Sequence, residues 1–251
     1  MPSLGRRRFF KSSLFLAMLF GGIVAGILAF LGYRVDAGGD LMSKRVEGEK
    51  IKLPSPRLKG NVSLEEAIYH RRSRREYLEK PLRIEDISQL LWSAQGITEP
   101  KLWVGLRSAP SAGGLYPLEL YVAVKEKGVD GLKAGVYHYD PYSHTITLKV
   151  EGDISKPLMA SCVDQEWVGR APINLIFTAI FERTSIKYGK RALQYVYQES
   201  GHAAQNVYLQ AEVLGLGGTV IGAFIESEIQ NLLSLPSNEI PVYVMPIGAI
   251  K

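Results

Sequence analysis

Residues 191–214 contain no proline and are followed by Gly215, which predicts one long helix. Apolar residues fall on nearly every face of that helix, with Gln194, Gln198, His202, Gln205 and Asn206 set among them. A helix apolar all round is covered on all sides, by a core or by a second subunit. Its amides then read as buried polar groups with partners inside the protein. The other elements have to be arranged around it. With 251 residues, 46% hydrophobic and 22% charged, the chain has enough material for a sizeable core. The same composition excludes disordered, collagen-like and disulfide-scaffold classes.

Ser63-Leu64-Glu65-Glu66 is a capping box that opens a short helix. Ile84, Ile87, Leu90, Leu91 and Ala94 keep helical spacing up to a stop at Gly96. Residues 119–125 alternate around Leu120, Val122 and Val124, a strand pattern. Residues 136–139 and 145–150 flank Asp140-Pro141-Tyr142-Ser143 as a hairpin. Residues 173–181 are continuously apolar and β-rich, which predicts a buried central strand. Residues 225–235 read as a helix and 242–247 as a final strand. Helices and strands interleave without a βαβ rhythm, so the fold class is α+β. A mixed or antiparallel central sheet is expected, flanked by helices, with the long helix 191–214 buried. No internal repeat is present.

The N-terminus stands apart. Arg6, Arg7, Arg8 and Lys11 precede an apolar run over 14–33. About 20 residues at about 1.5 Å rise can just span a bilayer, and positive charge ahead of the run keeps the N-terminus cytoplasmic. Arg6-Arg7-Arg8-Phe9-Phe10-Lys11 resembles the twin-arginine export signal R-R-x-F-L-K, with Phe10 in the leucine position. Val35-Asp36-Ala37 offers small residues to a signal peptidase, and an uncleaved anchor is the other reading. Residues 1–37 are therefore set aside as signal or anchor, and the protein is expected to be exported across the cytoplasmic membrane. Residues 38–60, with Gly38, Gly39, Pro54 and Pro56, read as a linker or arm, leaving 61–251 as the domain.

Charge narrows the partners. Of the net +5, residues 1–37 hold +4, since Arg6, Arg7, Arg8, Lys11 and Arg34 face only Asp36. The remainder is +1, so no nucleic-acid partner is expected. Cys162 is the only cysteine, which excludes an intrachain disulfide and any Cys-x-x-Cys site. His70, His138, His144 and His202 show no HExxH spacing, so no metal is expected.

Three stretches can carry chemistry. Arg71-Arg72-Ser73-Arg74-Arg75 follows the capped helix. It is either a set of cations at a helix C-terminus or an anion clamp of forked guanidinium groups. Residues 109–117, with Pro110, Gly113, Gly114 and Pro117, form either a tight turn or a loop whose backbone approaches a flat ligand. Residues 214–224 carry Gly215, Gly217, Gly218 and Gly222. A dinucleotide fingerprint fails there, because Val220 takes the third glycine position and a helix precedes the loop where a strand belongs. Main-chain N–H groups set against a ring system are the better reading.

RRSRREY at 71–77, APSAGGLYPLELYV at 109–122, GVYHYD at 135–140, KYGKRA at 187–192 and ESGHAAQNVYLQAEVLGLGGTVIGAF at 199–224 stand in fixed order. Together they resemble the nitroreductase-like flavoprotein superfamily, in its SagB/ThcOx-type dehydrogenase branch. The resemblance covers 60–251. It implies an α+β fold that binds FMN, in a homodimer with the flavin at the subunit interface. By that pattern Arg71, Arg72, Ser73 and Arg75 would hold the FMN phosphate and ribityl chain. Ser111, Gly113 and Gly114 would lie along the flavin. Val220, Ile221, Gly222 and Ala223 would lie beside the ring. Gly114 stands where many nitroreductases carry Asn, and Gly222-Ala223 where they carry Glu-Gly; both departures point to the SagB-type branch. The basic phosphate ligand usual near the C-terminus is displaced, since only Lys251 follows the last strand. Lys187-Tyr188 stands where azoline-oxidising members carry a Lys-Tyr pair for proton removal; a surface lysine beside a packing tyrosine is the other reading.

The resemblance thus implies an FMN-dependent oxidoreductase that transfers hydride through flavin N5 in two half-reactions, on a small-molecule or peptide substrate. Export argues for a membrane electron donor or acceptor, or oxygen, over soluble nicotinamide. The alternatives are an azoline-ring dehydrogenase of peptide maturation and a membrane-anchored binding protein without catalysis.

Overall fold

The structure is a computed structural model and describes residues 33–35, 41–45, 48, 50–100 and 105–251. The chain divides into two units, Met1–Arg45 and Val46–Lys251. In the first, Tyr33–Val35 pairs antiparallel with Leu41–Arg45. The expected arginine signal and the apolar run up to residue 32 lie outside the described residues. Among the described residues, no helix is long and apolar enough to cross a membrane.

The second unit opens with β1 (Lys50–Lys52). The chain that follows is tied down: Leu53 N–H donates to His144 O at 3.1 Å, and Arg57 N–H to Gln89 Oε1 at 2.8 Å. Part of the expected linker is thus built into this unit. The capping box forms as read, with Glu66 N–H on Ser63 Oγ at 3.1 Å and Ser63 N–H on Glu66 Oε2 at 2.8 Å. It starts α1 (Leu64–His70). Helix α2 (Ile84–Gln95) stops at Gly96, whose N–H closes on Trp92 O. A small ribbon, β2 (Ile97–Glu99) with β3 (Leu106–Arg107), leads to β4 (Leu118–Val124). The hairpin is β5 (Gly135–Asp140) and β6 (Thr145–Glu151). Two short helices, α3 (Ser155–Ser161) and α4 (Glu166–Arg170), precede β7 (Ile173–Ile180). Helix α5 (Phe181–Tyr188) leads into the long α6 (Ala192–Val213). The chain closes with β8 (Leu216–Gly218), α7 (Glu226–Leu233) and β9 (Glu239–Ala249).

Strands run β1–β6–β5–β4–β7–β9–β8 across the sheet, and every pair is antiparallel. The continuously apolar β7 lies between β4 and β9, as its sequence demands. On one face, Leu90 and Leu91 of α2 and Ala203 and Val207 of α6 meet Leu120, Val122, Leu175 and Phe177. Each of the large side chains buried there contributes roughly 1.5–3 kcal/mol.

The long helix needs a correction in one respect. Val196, Glu199, Ser200, Ala203, Ala204, Val207 and Ala211 face inward, but Leu193 and Tyr197 are 55% and 47% exposed. A single chain covers one face of the helix and leaves the other open. Helices α3, α4 and α5 lie where no element was read. They have 7, 5 and 8 residues, about two turns at most, too few for a periodic signal.

Candidate functional site

Beyond α1 the arginine stretch leaves the helix. Arg71 N–H still closes on Ala67 O, but Ser73 forms a bridge to Gly218, and Arg74 N–H donates to Gly218 O at 2.9 Å. Glycine makes that approach possible: a Cβ on Gly217 would lie 2.6 Å from Arg74 Cγ. The Arg71 guanidinium sits 5.3 Å over the Tyr208 ring, and Tyr208 OH accepts Val220 N–H at 2.6 Å. Arg74 approaches Glu212 at 4.0 Å, and Arg75 lies 5.2 Å over Trp167. Arg72 turns back onto the helix end, donating to Tyr69 O and Arg71 O. That is the helix-terminus reading, realised at this one residue.

Ser73, Arg74, Arg75 and Lys251 line a cavity of about 440 Å³. Arg74 Nε and the nearby Trp167 Nε1 are buried without a hydrogen-bond partner among the described residues. The main-chain donors in 220–223 are divided. Val220 N–H is taken by Tyr208, and Ile221 N–H by Val244 O at 2.8 Å. Gly222 and Ala223 are exposed, and their turn is braced by Gln165 Nε2 on Ala223 O at 3.3 Å. Of the four residues expected beside the ring, Val220 and Ile221 thus have their N–H groups engaged within the protein.

A second group forms around residues 111–116. Gly113 and Gly114 have φ of 67° and 65°, and Tyr116, which is not glycine, has 45°. Such a backbone costs an L-residue roughly 1–2 kcal/mol, and several contacts hold it. Tyr116 N–H donates to Ser111 Oγ at 2.9 Å, Arg183 Nη1 donates to Tyr116 O at 3.1 Å, and the Arg107 guanidinium lies 4.5 Å from the Tyr116 ring. Lys187 and Tyr188 end α5 and converge here. A Cβ on Gly113 would lie 2.9 Å from the Tyr188 hydroxyl and 3.1 Å from Lys187 Nζ. Neighbours on a strand would point apart; a helix end followed by Gly189 lets both tips reach one glycine.

Glu199 lies behind this loop, 2% exposed. Burial pushes its carboxyl up to about 7, against the opposing effects of a hydrogen bond from Ser111 and the charge of Arg107. On the polar face of the sheet, Glu119 meets His138 Nε2 at 2.7 Å and Arg183 at 2.6 Å. Burial alone would raise the Glu119 carboxyl, but these two partners outweigh it and hold it below the usual carboxylate range. They border a cavity of about 370 Å³ beside Gly114 and Tyr116. Another cavity, of about 600 Å³, lies elsewhere, between residues 57–64, α2 and α6.

The structure thus brings 71–75 against Gly217 and Gly218, and through Tyr208 against Val220, and it brings Gly113 together with Lys187 and Tyr188. Glu199 marks the second group on α6 and Tyr208 the first, a spacing of about 14 Å along the axis at about 1.5 Å per residue. Sequence reasoning missed Arg74, Arg107, Glu199 and Tyr208. For Glu199 and Tyr208 the signal was a polar atom on the inward face of an apolar helix. Chemically, the first group is a basic, hydroxylated clamp beside two exposed residues, Gly222 and Ala223, whose N–H groups have no main-chain partner among the described residues. The second is a tight backbone turn with an amine and a phenol at one point.

The nitroreductase-family profile matches residues 68–249. A Methanocaldococcus jannaschii protein that bears the name nitroreductase is 39% identical over 201 residues, 80% of this chain and 98% of that protein. The microcin B17-processing protein McbC of Escherichia coli is 29% identical over 175 residues, 68% of this chain and 63% of McbC. A crystal structure of a nitroreductase from Ralstonia eutropha matches with a TM-score of 0.70 at 30% identity, covering 83% of this chain and 98% of that one.

Proposed function

We propose, since the chain belongs to the nitroreductase family, that it is an FMN-dependent oxidoreductase of the SagB-type branch acting on a small-molecule or peptide substrate. Membership in itself makes the protein a nitroreductase-like oxidoreductase and a flavoprotein. The observation that favours FMN is the cavity lined by Ser73, Arg74, Arg75 and Lys251, with a buried guanidinium N–H left unpaired. Three cations and a hydroxyl suit a terminal phosphate, through charge-assisted hydrogen bonds.

Ser73, Arg74, Arg75 and Lys251 would hold that phosphate, and Arg71 would support the clamp through Tyr208. The N–H groups of Gly222 and Ala223 would face the ring, and Ser111, Gly113 and Gly114 would line it. FMN bound there would supply hydride transfer at N5, reduced by a donor and reoxidised by an acceptor. Lys187 Nζ and the Tyr188 hydroxyl would hold or move a proton beside Gly113. The spacing of the two groups along α6, with Leu193, Tyr197 and Ile186 exposed, supports a homodimer with the flavin at the subunit interface. Purified protein is expected to be yellow, to release FMN on denaturation and to sediment as a dimer. Colourless protein, or protein that releases FAD, would overturn the cofactor assignment.

A second reading, an azoline-ring dehydrogenase, is favoured by the similarity to McbC and by the convergence of Lys187 and Tyr188 on one glycine. Oxidation of an azoline-containing peptide, followed by mass, separates it from the first. Export through the twin-arginine route, with a membrane donor or acceptor, completes the proposal.

A further inference from the structure

We propose that the cavity beside Gly114 is the substrate subsite of the oxidoreductase and that Arg107 grips a carboxylate there. This rests on the reading given above and adds the substrate class to it. The cavity, of about 370 Å³, is lined by Arg107, Tyr116, Glu119, His138, Asp140 and Arg183. Most of its polar groups are already engaged inside the protein. Glu119 Oε2 meets His138 Nε2 at 2.7 Å, and Glu119 Oε1 meets Arg183 Nη2 at 2.6 Å. Arg183 Nη1 donates to Tyr116 O at 3.1 Å. Asp140 Oδ1 accepts Tyr142 N–H at 3.0 Å, and its Oδ2 accepts the Ser143 hydroxyl at 2.6 Å. Arg107 differs. Its Nη1 donates to Gln95 Oε1 at 2.9 Å, but Nε is buried without a partner and Nη2 makes no hydrogen bond among the described residues. No ion pair among the described residues includes Arg107. The guanidinium is nonetheless held in place, 4.5 Å from the Tyr116 ring and 5.6 Å from the Tyr142 ring.

What the lining has left to offer is therefore donor capacity with positive charge. The Nε and Nη2 edge of a guanidinium is a planar fork that matches the two oxygens of a carboxylate. Leaving a partly desolvated cation without a counter-ion is costly, and an anion on that edge removes the cost. Glu119 and Asp140 narrow the anion further. A dianionic phosphate would set two charges against these two acids, with a single unpaired cation to answer it; a carboxylate sets one. The cavity borders Gly114, next to Gly113, on which the Tyr188 hydroxyl and Lys187 Nζ converge. A substrate anchored by its carboxylate at Arg107 thus lies beside the loop that the proposed flavin shares. Two kinds of molecule carry this group, a small organic acid and a peptide with a free C-terminus.

The test titrates the full-length protein with benzoate, benzamide, N-acetyl-trialanine and its C-terminal amide, followed by calorimetry. At least one acid should bind about tenfold or more tighter than its amide, the scale of one charge-assisted hydrogen bond. That acid should also protect residues 105–117 and 138–142 from hydrogen–deuterium exchange. Arg107→Gln should lower the affinity for the acid to that for its amide. Preference for benzoate alone assigns a small organic acid, and preference for the tripeptide alone assigns a peptide C-terminus; either supports the subsite, as do both together. Acid and amide binding equally, neither acid binding, an acid preference that survives Arg107→Gln, or protection confined to 71–78 and 249–251 would overturn it. The exchange measurement on the wild-type chain keeps the proposal testable if Arg107→Gln folds poorly. Neither readout depends on flavin. Protein that shows the acid preference but holds no FMN defeats the cofactor reading alone, and protein that holds FMN without the preference defeats this inference alone.

Discussion

Arg75 and Lys251 lie far apart in sequence and share one cavity. If they grip a phosphate, each charge-assisted bond is worth roughly 1.5–3 kcal/mol. Arg75→Ala with Lys251→Ala should therefore leave a folded protein that purifies with most of its flavin missing, read as the flavin-to-protein absorbance ratio. Full occupancy in that variant would return the cavity to a solvated patch. A second residue acts on stability. His144 Nε2 meets Pro54 O at 3.0 Å and Ser88 Oγ at 2.8 Å, and Nδ1 meets Tyr139 OH at 2.9 Å. Burial, with the charge of Lys52, lowers its pKa, outweighing the Pro54 hydrogen bond. The unfolded chain takes up the proton first, near about pH 6.5. The stability contribution is thus complete above about pH 6.5 and declines as pH falls through the lowered folded value. His144→Gln should flatten that acid-side decline in melting temperature relative to the wild type. An identical decline in both proteins would remove His144 as its source.

At the scale of elements, the 111–116 loop and the end of α5 form one device. Gly113 has a φ of 67°, and its missing Cβ leaves room for both the Tyr188 hydroxyl and Lys187 Nζ. Gly113→Ala imposes the left-handed backbone on an L-residue, about 1–2 kcal/mol, and pushes both tips outward. Flavin should stay bound while single-turnover flavin reduction slows about 10- to 100-fold, the scale of misplacement by about an ångström. An unchanged rate would make the pair structural. The α1 capping box and the Gly96 stop were legible because caps are local chemistry. Helix α5 was hidden because it follows the apolar β7 with no capping signal: Ile180 makes no side-chain cap bond. The glycines of β8 were legible as glycines but not in role. Gly217 admits Arg74 and Gly218 lies against Pro246 O, so both serve close backbone packing.

For the whole molecule, a noncovalent cofactor held by residues from distant segments needs a folded chain, so the proposed cofactor and the proposed route of export are tested together. Arg6→Lys with Arg7→Lys conserves charge, so the positive-inside bias should hardly change. The variant is expected to stay yellow and folded on the cytoplasmic side, while the wild type becomes protease-accessible in spheroplasts. Normal translocation of the variant would reduce the basic head to a topogenic flank. The sequence alone determined the α1 and α2 helices, the 135–151 hairpin, the central β7, the long helix and the residue types of the three candidate stretches, because hydrophobic period, caps and glycine chemistry act over a few residues. Only the tertiary structure decided which of those residues meet. It placed Lys251 beside Arg75, gave the Val220 and Ile221 N–H groups to Tyr208 and Val244, and brought Lys187 and Tyr188 to Gly113. Those pairings join residues from separate elements, and their energies depend on burial and distance, which exist only once the sheet and α6 have closed on one another.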